Sequence, residues 1–311
     1  MAYTTGEATN HLNLLEILRG FLTTNAALVA AGQAWTQIGG ETGTIDSGDF
    51  VSLRGPGLGG SDQIFLSLDA YSNDAAAHYS LRLRGHTAYN QADPSISPPG
   101  LNSPLVYYPL INGTIRYWIV ANGRRFIMVA KSNNRYDVMY GGLALPRHLP
   151  SDWPYPLLIG GSATSYTQNS SDSSSHTNPW RGINGSAYLF TPEQLWRPFA
   201  NINSSSNNND GSENSPTNGD LMCVEWKNNV GPSPLTRTLD GQPWLRRGSI
   251  AQFGTSTLNA RNFLGYFDGI YYTPSVGAVI ESVIEYDSKD YLVVPNIYRN
   301  SEGQVAAVAL E

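Results

Sequence analysis

From residue 115 to residue 130 the chain reads IRYWIVANGRRFIMVA, two apolar runs parted by Asn122-Gly123 and two arginines. Asn-Gly between β-rich runs is the strongest short hairpin signal, because a type I′ turn needs positive φ at both central residues. The spacing predicts that residues 115–121 pair with residues 124–130, with Trp118 opposite Ile127 and Tyr117 opposite Met128. Side chains alternate along a strand, so apolar groups fall on both faces of this hairpin. It needs cover on two sides: its own core on one, and a second sheet, a helix or another subunit on the other.

Around it the pattern changes period. Asn10 is a cap candidate ahead of HLNLLEILRGFL, where Leu14, Leu15, Leu18, Phe21 and Leu22 recur at three- and four-residue spacing and predict one amphipathic helix. DFVSLRG, QIFLSLDAY and HYSLRLRGHT predict a three-stranded meander, with the glycine-rich GPGLGGSD between its first two strands. ADPSISPPGLNSPLVYYPL carries too many prolines for a central strand and reads as an extended loop. RYDVMYGGLALP supplies a further strand, and WPYPLLIGGSA closes the first half. SAYLFTPEQLWRPF predicts a strand and then a short helix opened by Thr191-Pro192, with Glu193 in its first turn. NFLGYFDGIYYTPS, AVIESVIEYD and DYLVVPNIYR predict strands, the last two joined at Asp287-Ser288-Lys289, and GQVAAVAL is expected to close a sheet edge. No repeat of 20 to 50 residues marks a propeller or solenoid. The expected fold is mainly β: a β-sandwich or jelly-roll-like core with an N-terminal helix and long Ser/Asn-rich loops. Residues 1–161 form the helix and first sheet region and 221–311 a second β region, the two packed as one compact unit. Residues 162–220 carry TSYTQNSSDSSSHTN and NINSSSNNNDGSENSPTNGD, too poor in apolar groups to offset their ordering entropy.

Composition narrows the classes. A chain of 311 residues can bury real cores without a staple, and its single cysteine, Cys223, allows no intrachain disulfide, which fits a reducing cytoplasm. Charged residues are 14 % and the net charge is −6, which speaks against general nucleic-acid binding, since that relies on Lys and Arg to displace counterions. The apolar runs are of strand length, and MAYTTGEATN has neither the basic start nor the apolar stretch of a signal peptide, so no membrane partner is expected.

Reactive constellations are sparse. GPGLGG has the G-x-G-x-x-G spacing of a dinucleotide fingerprint, but a strand pattern follows where the fingerprint needs a helix N-terminus. IGGSAT has Thr164 where a nucleophile elbow needs its last glycine. His11, His78, His86, His148 and His176 stand singly, without zinc-ligand spacing. SNNNDGSEN imitates a calcium loop but starts with Ser206 and has Thr217 in place of the bidentate Glu. The pairs Asp287/Asp290 and Glu281/Glu285 read as solvated strand faces rather than as a glycosidase pair. The expectation is therefore no enzyme, no cofactor and no metal. Seven Trp and eighteen Tyr are the richer feature, as core and interface anchors or as sugar-stacking rings.

YWIVANGRRFIMVAK, WPYPLLIGGSA, FDGIYYTPSVGA and DYLVVPNIYR, in this order, resemble a family of virion structural proteins of tailed bacteriophages. TTGEATNHLNLLEILRGFLT and LRGPGLGGSDQIFLSL resemble that family's opening, so the resemblance covers nearly the whole chain outside the two Ser/Asn-rich segments, where this sequence departs from it. It implies a tail-associated virion part, of a neck collar or baseplate, made in the host cytoplasm, with copies of itself and other neck or tail proteins as partners. It implies no catalytic residues. Two contact sets are then expected. Leu14, Leu18 and Phe21 of the helix stripe, with Asn122, Gly123, Arg124 and Arg125 at the hairpin tip, would meet neighbouring subunits, the paired arginines being suited to bidentate carboxylate contacts. Alternatively, Trp153, Tyr155 and Trp180 would stack on a host-surface glycan. For each of these residues an intrachain role is the competing reading.

Overall fold

Two sheets, one on each side, cover the two apolar faces of the central hairpin. The structure, a computed structural model, describes residues 1–89, 100–165, 176–181, 185–199, 220–223, 245–253, 261–273, 279–298 and 305–310. Most of both Ser/Asn-rich segments, including the calcium-like run, lies outside the described residues. The central sheet has the order β1 (Ala2–Ala8), β7 (Ile115–Ala121), β8 (Arg125–Ser132), β9 (Arg135–Leu143), β11 (Leu157–Gly160), β12 (Ala187–Phe190) and β13 (Trp196–Pro198). The front sheet is a meander of β2 (Thr36–Gly40), β3 (Phe50–Gly55), β4 (Ile64–Asn73), β5 (His78–His86) and β6 (Val106–Leu110). The back sheet runs β14 (Leu221–Cys223), β15 (Arg246–Phe253), β16 (Arg261–Tyr272), β19 (Val305–Ala309), β18 (Lys289–Pro295) and β17 (Val283–Tyr286), with β10 (Leu145–Pro146) beside β16. The fold is thus mainly β with sandwich-like packing that occurs twice, and the strand order of the front sheet is a meander.

Strand alternation makes this stack. Ile119, Phe126, Met128 and Met139 point forward and pack with Leu66, Leu68, Leu81 and Leu83 of the front sheet. Trp118, Val120, Ile127, Val129 and Tyr140 point backward and pack with Phe267, Ile270, Leu292 and Val308 of the back sheet. The helix α1 (His11–Thr24) is capped by Asn10, whose side chain accepts from Asn13 N at 2.9 Å, and lays Leu14, Leu15, Leu18 and Leu22 into the front core. A short α2 (Ala26–Ala30) continues it, capped by Asn25. Among the described residues no helix is long and apolar enough to cross a membrane.

Several local expectations change. The hairpin register is displaced by two residues, pairing Trp118 with Val129 and Tyr117 with Ala130. An even displacement keeps every side chain on its predicted face. Neither Asn122 nor Gly123 takes positive φ; instead Asn122 Oδ1 accepts from Arg124 N at 2.8 Å and Arg125 N at 3.0 Å, so the side chain replaces the type I′ geometry. Positive φ at two successive residues occurs at Asp287 (53°) and Ser288 (57°), which join β17 to β18. The proline-rich run ends in β6, where Pro109 is tolerated because the strand lies at a sheet edge. The expected helix after Thr191-Pro192 is a hairpin turn instead: Thr191 N donates to Leu195 O at 2.9 Å, Gln194 takes φ 59°, and Trp196 returns to pack on Phe190. The run before Pro198 is too short to propagate a helix against that aromatic contact. GQVAAVAL supplies β19, which lies inside the back sheet between β16 and β18 rather than at an edge. β1, outside every strand expectation, adds a seven-residue edge to the central sheet.

Candidate functional site

At the tip of the β7–β8 hairpin an open cleft of about 430 Å³ lies between the glycine-rich loop after β3 and the proline-rich segment after β10. The loop is positioned by the tip. Gly57 N donates to Gly123 O at 2.7 Å, and a Cβ on Gly123 would stand 1.9 Å from Gly57 O, so this approach requires glycine. Trp35 Nε1 donates to Asn122 O at 2.9 Å and holds the tip from the other side. Pro146, Pro150, Pro154 and Pro156 line the opposite wall with fixed φ. Trp153, 3 % exposed, lines it from beneath, its Nε1 donating to Phe190 O at 3.0 Å and its ring meeting His148 edge to face. Arg124 reaches the rim, donating from Nη2 to Ala144 O at 3.1 Å, with Asp62 and His148 also on the lining. Leu58, 52 % exposed, is part of the lining, and Leu149, 66 % exposed, lies in sequence between the lining residues His148 and Pro150. The lining combines four prolines, Leu58, Leu143 and Trp153 with the polar side chains of Arg124, Asp62 and His148.

The cleft brings together Arg124 and Trp153, which belong to different expectations, and separates both from their companions. Arg125, 1 % exposed, points inward and lies 3.8 Å from Asp268, with Nη2 on Met1 Sδ at 3.2 Å. Leu14, Leu18 and Phe21 are buried in the front core of their own chain, and Asn122 and Gly123 are covered by Trp35 and Gly57. These six residues therefore make their contacts within their own chain. Two members of the glycan set do likewise. Trp180 is 1 % exposed in the back core, and the half-buried Tyr155 donates to His86 O at 3.0 Å and accepts from Phe65 N at 3.1 Å.

Two buried polar networks went unseen in the sequence. On the outer face of the front sheet Ser52 Oγ meets Ser67 Oγ at 2.8 Å, Ser67 Oγ meets His86 Nε2 at 2.9 Å, and His86 Nδ1 meets Asn102 Oδ1 at 2.8 Å. Burial, only partly offset by the Asn102 hydrogen bond and reinforced by Arg84, lowers the His86 pKa to about 4. Ser52, Ser67 and His86 are fully buried, so this chain of groups joins strands. Deeper, Asp137 accepts from Arg135 Nη2 at 2.6 Å and from Ser162 Oγ; burial raises its pKa against the opposing pull of Arg135 and Ser162. The serine of IGGSAT is therefore held by a carboxylate. The first network needed the register pairing Ser52 with Ser67 and Phe65 with His86, and the second needed Ser162, 25 residues on, brought to Asp137; no local pattern reveals either.

Glu281, expected on a solvated face, ties the central and back sheets together. Lys131 Nζ and Tyr136 OH donate to its Oε1 and Arg116 Nη1 to its Oε2 at 3.0 Å, while its backbone takes φ 66°. Burial raises its pKa, but the bonds from Lys131 and Tyr136 and the charges of Lys131 and Arg116 outweigh that and hold the carboxyl below its usual range. Among the described residues no group of three or more His, Cys, Asp or Glu is placed to hold a metal ion. In comparisons with known proteins, no family model and no curated protein matches the chain.

Proposed function

We propose that the protein is a structural component of a tailed-bacteriophage virion that self-associates into a ring or collar at the neck or baseplate and acts by docking. The sequence resemblance supports the virion role. The observation that carries docking is the cleft at the hairpin tip: proline-walled, with Trp153 beneath, Arg124, Asp62 and the exposed Leu58 on its lining and the exposed Leu149 in sequence between His148 and Pro150. Walls fixed by proline and by the Gly57–Gly123 contact lose little conformational freedom when a partner seats, so more of the contact energy is left as affinity. Its partners are copies of itself and neighbouring neck or tail proteins, and its location is the virion, after synthesis in the host cytoplasm. Quantitative mass spectrometry of gradient-purified virions tests this. Several copies per particle are expected, with Leu149→Asp lowering incorporation; particles lacking the protein would overturn the proposal.

A further inference from the structure

We infer that β1 is a contact strand at which a second copy of this chain pairs edge to edge, antiparallel, about a two-fold axis through Thr5. The inference rests on the self-association reading above and adds to it a two-subunit contact, separate from the contacts that would close a ring. Sheet edges invite pairing with other chains, and proteins blunt them with proline, charge, bulges or short strands. The other described edges carry such devices. β6 has Pro109, β13 has three residues and Pro198, and β2 is broken by a bulge between Gln37 and Gly39. β17 has four residues including Glu285, and β14 has three residues and is bridged by Phe199. β1 differs in length and regularity: seven residues in unbroken register with β7, without proline or bulge, and with its one charge, Glu7, near one end. Every second residue of an edge strand turns its N–H and C=O away from its one neighbour, leaving a row of donors and acceptors open.

The side chains on this edge are self-complementary. Tyr3 (38 % exposed), Thr5 and Glu7 share one face, and all three are exposed. An axis through Thr5 sets Thr5 opposite Thr5 of the second copy, and each Tyr3 opposite the other copy's Glu7. Thr5 Oγ1 already donates to Tyr117 O, so the two facing Thr5 side chains meet as small β-branched groups, and a tyrosine hydroxyl can donate to a facing carboxylate. The same register keeps the two Glu7 carboxylates away from each other. The pairing joins the two central sheets into one and is isologous, so it stops at two subunits and gives any larger closed assembly dihedral symmetry.

The test is sedimentation velocity over a concentration series on the full chain and on Thr5→Lys, Thr5→Glu and Thr5→Val, with thermal unfolding of each as a folding control. Thr5 Oγ1 donates to Tyr117 O at 2.7 Å, and Thr5→Val removes that bond without adding charge. Wild type is expected to dimerise. Either charged variant should weaken the dimer roughly fivefold or more by placing like charges opposite each other, Thr5→Val should stay within about twofold, and an equimolar mixture of the two charged variants should restore pairing. Association of the wild type that Thr5→Lys leaves untouched would overturn the β1 contact while self-association stands. A wild type that is monomeric throughout would overturn both.

Discussion

Arg125 lies 1 % exposed beside Asp268, whereas Arg124, next to it in sequence, keeps its guanidinium at the cleft rim. Arg125 is buried while Asp268 keeps 18 % exposure, so Arg125→Ala, which empties a buried site and leaves Asp268 without its neighbour, is expected to destabilise the fold by about 2 kcal/mol. Arg124→Ala, losing a half-exposed bond to Ala144 O, should cost about 1 kcal/mol; urea titration of the two variants measures the difference. No local pattern separates them: which arginine turns inward follows from the turn that Asn122 makes. The buried histidines give a pH dependence. Burial lowers both His11 and His86 from 6.5 to about 4, with Asp74 pulling His11 the other way. A folded pKa below the unfolded one means that the unfolded chain binds more protons between those values. The histidine contribution is therefore complete above about pH 6.5 and is lost as pH falls toward 4, on the order of 3 kcal/mol for each. Asp69 and Asp137, both raised by burial, oppose it in the acid range, so the histidine part is read as the difference from a His11→Gln/His86→Gln double variant. Its urea-derived stability should rise less steeply from pH 4 to 6.5 than the wild type's; an unchanged slope would refute the assignment.

Turns and strand edges were the elements hardest to read in advance. Asp287 and Ser288 hold positive φ, which costs a non-glycine residue about 1 kcal/mol, so Ser288→Gly is expected to raise stability by about that much in thermal unfolding. Gly123→Ala should do the reverse and cost more than about 2 kcal/mol, because the added Cβ meets Gly57 O and pushes the glycine-rich loop off the tip. The long periodic elements were legible: the helix from Asn10, the meander β3 to β5, and the two hairpin strands follow directly from apolar spacing and capping chemistry. The misread elements are those whose state depends on a distant neighbour. β1 becomes a strand by pairing with β7, and β6 by pairing with β5. The segment after Thr191 turns back because Trp196 finds Phe190.

At the scale of the molecule, the central sheet is shared by two cores. An apolar hairpin face announces that it must be covered but not by what, so the two-sided need was readable and the answer, two sheets of one chain, was not. A fragment of residues 1–161 would leave Trp118, Val120, Ile127 and Val129 facing water without β16, β18 and β19. Such a patch drives association. The fragment is expected to aggregate on expression, and a folded, monomeric fragment would show that the back sheet is dispensable. The cleft is likewise a whole-molecule property, since Leu58, Arg124 and Trp153 come from three separated stretches of chain. Each was visible in sequence as a residue type, but their meeting depends on the docking of Gly57 against Gly123. The claim that this molecule is a docking part of a phage tail is tested most directly by gold-labelled antibody on purified virions under the electron microscope. Label confined to the neck or the baseplate is the result expected; label at fibre tips, with none at either ring, would contradict it.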